Sequence, residues 1–186
     1  SRVEEIIDEY VHHGFRSIFL RSMSPYGFAV RKGSLRVLGD YQPDEWLSFY
    51  KRGLDHIIKV NQGGYRLIEE YTAILLQKIT SPQSGSYVDL QSPTGSGIGA
   101  LVYNYDGAIY ASDEGRMLAE AGDTSLRLGH LMTDRYEDVL GSEPFVAMLL
   151  SSMTEGAPQC SDCAFLPYCG ADPAFHRATQ GDFVGQ

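Results

Sequence analysis

The sequence predicts an α+β protein in two regions, and three observations carry that reading. The first eighty residues alternate helical periodicity with one β-rich run, a stretch rich in Gly, Ser and Pro then breaks the pattern, and the remainder opens on a hairpin signal and closes on clustered cysteines. The boundary falls near Thr80, which separates a region of residues 1–80 from one of residues 81–186.

Taken in order, Ile6, Ile7, Tyr10 and Val11 share a helical face that Gly14 can end. "FRSIFLR" (Phe15 to Arg21) then reads as a buried strand, and "SMSPYGFAVRKGS" as a loop. From Pro43 to Val60 the apolar residues Trp46, Leu47, Tyr50, Leu54, Ile57 and Ile58 recur at helical spacing, with Pro43 suited to a first turn and Gly63-Gly64 to the exit. "YRLIEEYTAILLQKI" predicts a further amphipathic helix through Leu67, Ile68, Tyr71, Ile74 and Leu75. Helix, strand, loop and two helices make this region resemble the tail of an α/β layer.

Beyond the boundary, "SPQSGSYVDLQSPTGSGIG" is broken only by a short extended "YVDL". "ALVYNYDGAIYAS" predicts a hairpin about Asp106-Gly107, a pair that tolerates positive φ. "DEGRMLAEAG" predicts a short helix, "SLRLGHL" a short strand, and "DRYEDVL" and "SEPFVAMLLSSM" two helices with Asp134 and Ser142 as N-caps and Pro144 in the first turn.

Composition narrows the function. Of 186 residues, 43% are hydrophobic and 21% charged, as in ordinary globular proteins, and no apolar run reaches the roughly 20 residues that span a bilayer. There is no signal-peptide pattern, and three cysteines cannot close a disulfide framework, so a cytoplasmic address with no membrane partner is expected. A net charge of −9 with no basic run argues against nucleic acid. The chain opens in helical periodicity without Met and closes on "TQGDFVGQ", which shows neither a helix cap nor a strand pattern; a piece of a longer protein is expected.

All 3 cysteines lie in "CSDCAFLPYCG" as C-x2-C-x5-C: Cys160, Cys163 and Cys169. In a reducing compartment, thiols this close indicate a metal or a reactive pair, because thiolates suit iron-sulfur clusters and zinc and a C-x2-C turn aims two sulfurs at one centre. The spacing leaves open the choice among a cluster, zinc, and redox or structural thiols. A fourth ligand is expected either from His176, which would complete a Cys3His zinc site, or from beyond Gln186, with Asp172 a weaker candidate. "GSGIG" lacks the Lys and helix of a phosphate loop and reads as an approach to the hairpin, His12-His13 as a helix end, and "SDEGR" as an acidic first turn. "YNYDGAIY" spaces its aromatics as a core strand does.

The run "GALVYNYDGAIYAS", then "LRLGHL", a helix and "CSDCAFLPYCG" resembles the SPASM domain of radical SAM peptide-modifying enzymes. "SIFLRSMSPYGFA", "YVDLQSPTGSGIGALVYNYDGAIYASDEGRM" and "CSDCAFLPYCGADP" are similar to segments of the radical SAM maturase of the His-Xaa-Ser peptide system. The resemblance implies the end of a partial (β/α) barrel, strand plus helices with Phe15 to Arg21 as a late strand, followed by a SPASM-like domain with a β-hairpin, helices and a Cys-rich metal-binding loop. It implies a ribosomally made peptide as partner and an auxiliary [4Fe-4S] cluster on Cys160, Cys163 and Cys169. S-adenosylmethionine and a second [4Fe-4S] would belong to the full-length parent, because the C-x3-C-x2-C motif that binds them is not in this sequence and no catalytic residue is expected here. The family's further SPASM cysteines have no counterpart, their places falling near Gly97, at Ser112 and at Pro173. Two other expectations stand beside this one: a non-enzymatic, zinc-stabilised peptide-binding module that uses His176, and a domain with inert buried thiols.

Overall fold

The computed structural model describes residues 2–24, 26, 42–81 and 87–184, which fall into two compact units: 2–23 with 42–81, and 24 and 26 with 87–184. Most of the expected "SMSPYGFAVRKGS" loop lies outside the described residues.

The first unit runs α1 (Val3–His12), β1 (Ser17–Ile18), α2 (Pro43–Gln62), β2 (Ile68–Glu69) and α3 (Glu70–Thr80). Gly14, at φ 79°, turns the chain out of α1, and His12 and His13 sit at that helix end. Of the strand expected over Phe15 to Arg21, only Ser17 and Ile18 pair; Ile18 and Leu20 are buried while Phe15 is exposed. The helix from Pro43 ends at Gly63, as expected.

The next helix starts later than its periodicity suggests. Leu67 and Ile68 are not helical: Ser17 pairs with Ile68 and Ile18 with Glu69 in a parallel ladder. The Asn61 side chain explains the change, because its amide bonds both the N–H and the C=O of Leu67 at 3.0 and 2.8 Å and holds that backbone extended. Glu69 then occupies the N-cap of α3, accepting from the Thr72 N–H at 2.6 Å. Val3, Ile7, Ile18, Leu20, Ile57 and Leu67 form the core. Gly53 lets α1 and α2 close on it, since a Cβ there would lie 2.8 Å from Leu20 and 2.9 Å from Val3.

The second unit carries β3 (Val102–Tyr103), β4 (Ala108–Tyr110), α4 (Asp113–Glu120), β5 (Arg127–His130), α5 (Tyr136–Leu140), α6 (Glu143–Ser151) and α7 (Pro173–Gln180). The hairpin is as expected, and β5 joins it to make an antiparallel sheet in the order β3-β4-β5. Gly107 takes φ 89° in the turn. Ser112 caps α4 by accepting from the Gly115 N–H at 3.2 Å.

Three local expectations are corrected. "YVDL" is not extended: Val88–Leu90 is a 3-10 turn. Asp134 does not cap α5, because its carboxylate accepts from the His130 N–H at 2.7 Å; Asp138 instead accepts from the Arg135 N–H. "TQGDFVGQ" does hold a cap, Gly181, which ends α7 in the left-handed conformation at φ 80°. Ile109, Ala111, Leu118, Leu126, Leu128, Val139, Phe145, Met148, Ala174 and Ala178 make the core of this unit, with the ring of Tyr26 among them.

Candidate functional site

The cysteine loop is fastened at both ends. On its entry side the buried Ser152 hydroxyl accepts from the Thr94 N–H at 3.0 Å, and the Thr154 N–H donates to Ser92 Oγ at 3.0 Å. The Ser92 hydroxyl also meets the Glu155 carboxylate, and that bond holds the Glu155 carboxyl below its ordinary value. On the exit side Gly170 lies against the chain at 89–91: a Cβ there would overlap the Asp89 carbonyl oxygen and come within 2.9 Å of the Gln91 nitrogen. Only glycine permits that approach.

Between these fixings the chain makes a series of turns. The Cys163 N–H donates to the Cys160 carbonyl at 2.9 Å, which is the turn expected of C-x2-C, and the Leu166 N–H donates to that of Cys163 at 3.1 Å. Pro167 lies in a 3-10 turn, Leu166–Tyr168, that leads to Cys169. All three thiols are free. Cys160 is half-buried and Cys163 and Cys169 are exposed, so they are not the inert buried thiols of the third expectation. They are not drawn to one point either: among the described residues no three His, Cys, Asp or Glu side chains are grouped to share a metal ion. His176 is half-buried on α7 with Nδ1 3.2 Å from the Phe183 carbonyl oxygen.

Asp172 has both carboxylate oxygens engaged. One accepts from the Ala174 N–H at 2.9 Å and caps α7, and the other accepts from the Tyr26 hydroxyl at 2.7 Å. Burial, then the Asp172 charge beside it, pushes the Tyr26 phenol well above its ordinary range. Glu114, on the first turn of α4, is also held above the ordinary carboxyl value, first by burial and then by the charges of Asp172 and Asp89. The acidic first turn read in "SDEGR" is therefore present, with Arg116 paired to Asp113 at 2.7 Å.

Sequence reasoning missed a second polar cluster, in the first unit. Glu69 is buried at 5% exposure; its carboxylate accepts from the Leu20 N–H at 3.1 Å, the Thr72 N–H and the Tyr50 hydroxyl at 2.6 Å. It stands where β2 ends, on the side of a parallel pair where α/β proteins place ligands. Its signal was the acid doublet of "LIEEYT", which also fits a solvated helix face.

Neither a family model nor a curated protein sequence matches the chain. Solved structures do. "Native anSMEcpe with bound AdoMet" aligns over 98% of this chain and 46% of that one, with a TM-score of 0.68 at 15% identity. The fold is that of the matched part of anSMEcpe. "Native anSMEcpe with bound AdoMet and Kp18Cys peptide" aligns over 98% of this chain and 47% of that one, with a TM-score of 0.66 at 16% identity. The chain spans less than half the length of these structures. No helix among the described residues is long and apolar enough to cross a membrane.

Proposed function

We propose that this chain is the C-terminal part of a radical SAM enzyme that modifies a ribosomally made peptide, and that its cysteine loop is an auxiliary-cluster site. The observation that carries the reading is the shared fold over 98% of the chain with anSMEcpe, a radical SAM/SPASM anaerobic sulfatase-maturating enzyme whose structures include bound AdoMet and peptide. The narrower likeness to the maturase of the His-Xaa-Ser system rests on the sequence segments alone. A cytoplasmic address goes with the same reading.

The donors suit a cluster by their chemistry: three free thiols within ten residues, two of them exposed, on a loop whose ends are fixed. Their arrangement is not gathered, so loading requires the turns between Cys160 and Cys169 to tighten. Cys160, Cys163 and Cys169 would hold an auxiliary [4Fe-4S], which when bound supplies an electron-transfer or substrate-ligating centre. What the chain itself does is anchor that loop through Ser92, Ser152 and Gly170, and keep Asp172 occupied with Tyr26 and the α7 cap, away from metal ligation. S-adenosylmethionine and its cluster belong to residues outside this sequence, and the chain alone is expected to be inactive.

Anaerobic reconstitution with iron and sulfide tests the reading. About four irons per chain with a cluster absorption band, lost in Cys163→Ser, is the expected result. One zinc, no iron, and loss of that zinc in His176→Ala would replace it with the zinc-binding module.

A further inference from the structure

The second unit has an exposed apolar patch that continues outward from its core. The large side chains of the hairpin divide between two environments: Ile109 and Tyr110 are buried on β4, whereas Tyr103 on the edge strand β3 is 54% exposed and Tyr105 in the turn 88%. Beside Tyr103 lies a cleft of about 90 Å³ lined by Leu101, Tyr103, Ile109, Leu131, Asp134 and Tyr136, among others. Leu131 and Tyr136 in its wall are also exposed, as is Met132, next to Leu131 in the chain. The cleft has room for one aliphatic side chain. An edge strand next to such a pocket is the arrangement by which a sheet takes up an extended peptide, the backbone adding a strand and alternate side chains entering pockets.

Charge selects the peptide. Residues 86–186 carry fourteen Asp and Glu against four Arg and no Lys, whereas residues 1–85 carry ten acidic and eleven basic side chains. Three of those four arginines are already paired: Arg116 with Asp113, Arg135 with Glu137 and Arg177 with Asp123. Of the acidic side chains Asp134 lies in the cleft wall, while Asp106 is at the hairpin tip and Asp138 on α5, within a unit that is strongly acidic as a whole. We propose that the β3 edge and its cleft dock an extended, basic segment of the substrate peptide, with an aliphatic side chain in the cleft and lysine or arginine against Asp134 and the acid-rich surface of this unit. This deepens the peptide-modifying reading and rests on it for the kind of partner.

The test is fluorescence anisotropy of the 186-residue chain with two labelled octapeptides, one alternating leucine and lysine and one alternating leucine and glutamate. The lysine peptide is expected to bind at least about tenfold more tightly, and to weaken as salt is raised. Tyr103→Ala and Leu131→Lys, both at exposed positions, should each weaken it at least about fivefold while leaving amide exchange in β4 unchanged. Equal affinity for the two peptides overturns the proposal, as does wild-type affinity in both variants. Self-association of the chain that Leu131→Lys abolishes, with no peptide bound, assigns the face to a second copy and also overturns it. Iron uptake is not read here, so a chain that loads iron and ignores both peptides sinks this inference alone, and one that binds the lysine peptide but takes no iron sinks only the cluster.

Discussion

In the first unit a two-residue parallel ladder is fastened by side chains, the Glu69 carboxylate and the Asn61 amide, whereas in the second unit three antiparallel strands are fastened by turns and by their own backbone. The difference follows from connection. Parallel strands cannot be joined by a tight turn, and here β1 meets β2 only after the whole of α2, so the alignment of two short strands is set by whatever polar groups lie between them. Antiparallel neighbours bring their alignment with them. A single buried carboxylate therefore matters more to the first sheet than any one side chain does to the second.

Removing that carboxylate should have the largest effect. Glu69→Ala leaves the Leu20 N–H, the Thr72 N–H and the Tyr50 hydroxyl without their acceptor in a buried site and should cost about 3 kcal/mol. The single tryptophan, Trp46, lies in this unit, so its fluorescence in a urea titration reads the loss. Next comes Gly170→Ala, whose new Cβ meets backbone that cannot swing aside; a loss of about 2 kcal/mol is expected, seen as faster amide exchange in β4 and α7 with Trp46 unchanged. In the sheet of the second unit, His130→Ala removes a half-buried ring that bonds the Asp106 carbonyl and the Met132 N–H, and should cost only about 1 kcal/mol. If His130→Ala proves as costly as Glu69→Ala, the contrast between the sheets is wrong.

The smallest effect is one of pH. Burial first, and then the charges of Asp172 and Asp89, hold Glu114 above its ordinary 4.5 in the folded chain, so the fold binds that proton more tightly than the unfolded chain does. The resulting stability is fully present below pH 4.5 and is lost as pH rises through the raised value. Glu114→Gln should therefore stabilise the second unit more at about pH 7 than at about pH 4, read from urea midpoints at the two pH values. Asp123 acts with the opposite sign. Burial works to raise its carboxyl, but the Arg177 guanidinium at 2.7 Å and the Ser125 N–H outweigh it and lower it, so its contribution is present above the ordinary 3.8 and lost on acidification.

The same contrast governs what could be read from the chain. The hairpin was legible because Asp106-Gly107 and the β-rich runs around it are neighbours, and α2 because Pro43 and Gly63-Gly64 bracket a regular apolar period. The second strand of the parallel pair was not: it is two residues long, its partner is some fifty residues away, and Leu67, Ile68 and Tyr71 happen to continue the spacing of the helix behind it. Asp134 has the residue type of a cap, yet the tight turn after β5 brings the His130 N–H to it first. The cysteine loop was legible as a loop, with its C-x2-C turn and Pro167 in place. Its anchors were not, since Ser92 and Thr94 meet it from some sixty residues earlier.

Those anchors make the loop a cassette. Thr154 and Glu155 are tied to Ser92 on one side and Gly170 rests on the Asp89 carbonyl on the other, so the chain from Ala157 to Cys169, where no residue is buried, is carried by the frame and adds nothing to its core. A segment held in that way can be exchanged for another of similar span, with different ligands or none, while α6 and α7 keep their places. The stretch proposed to carry this protein's chemistry is thus also the stretch most open to being rewritten.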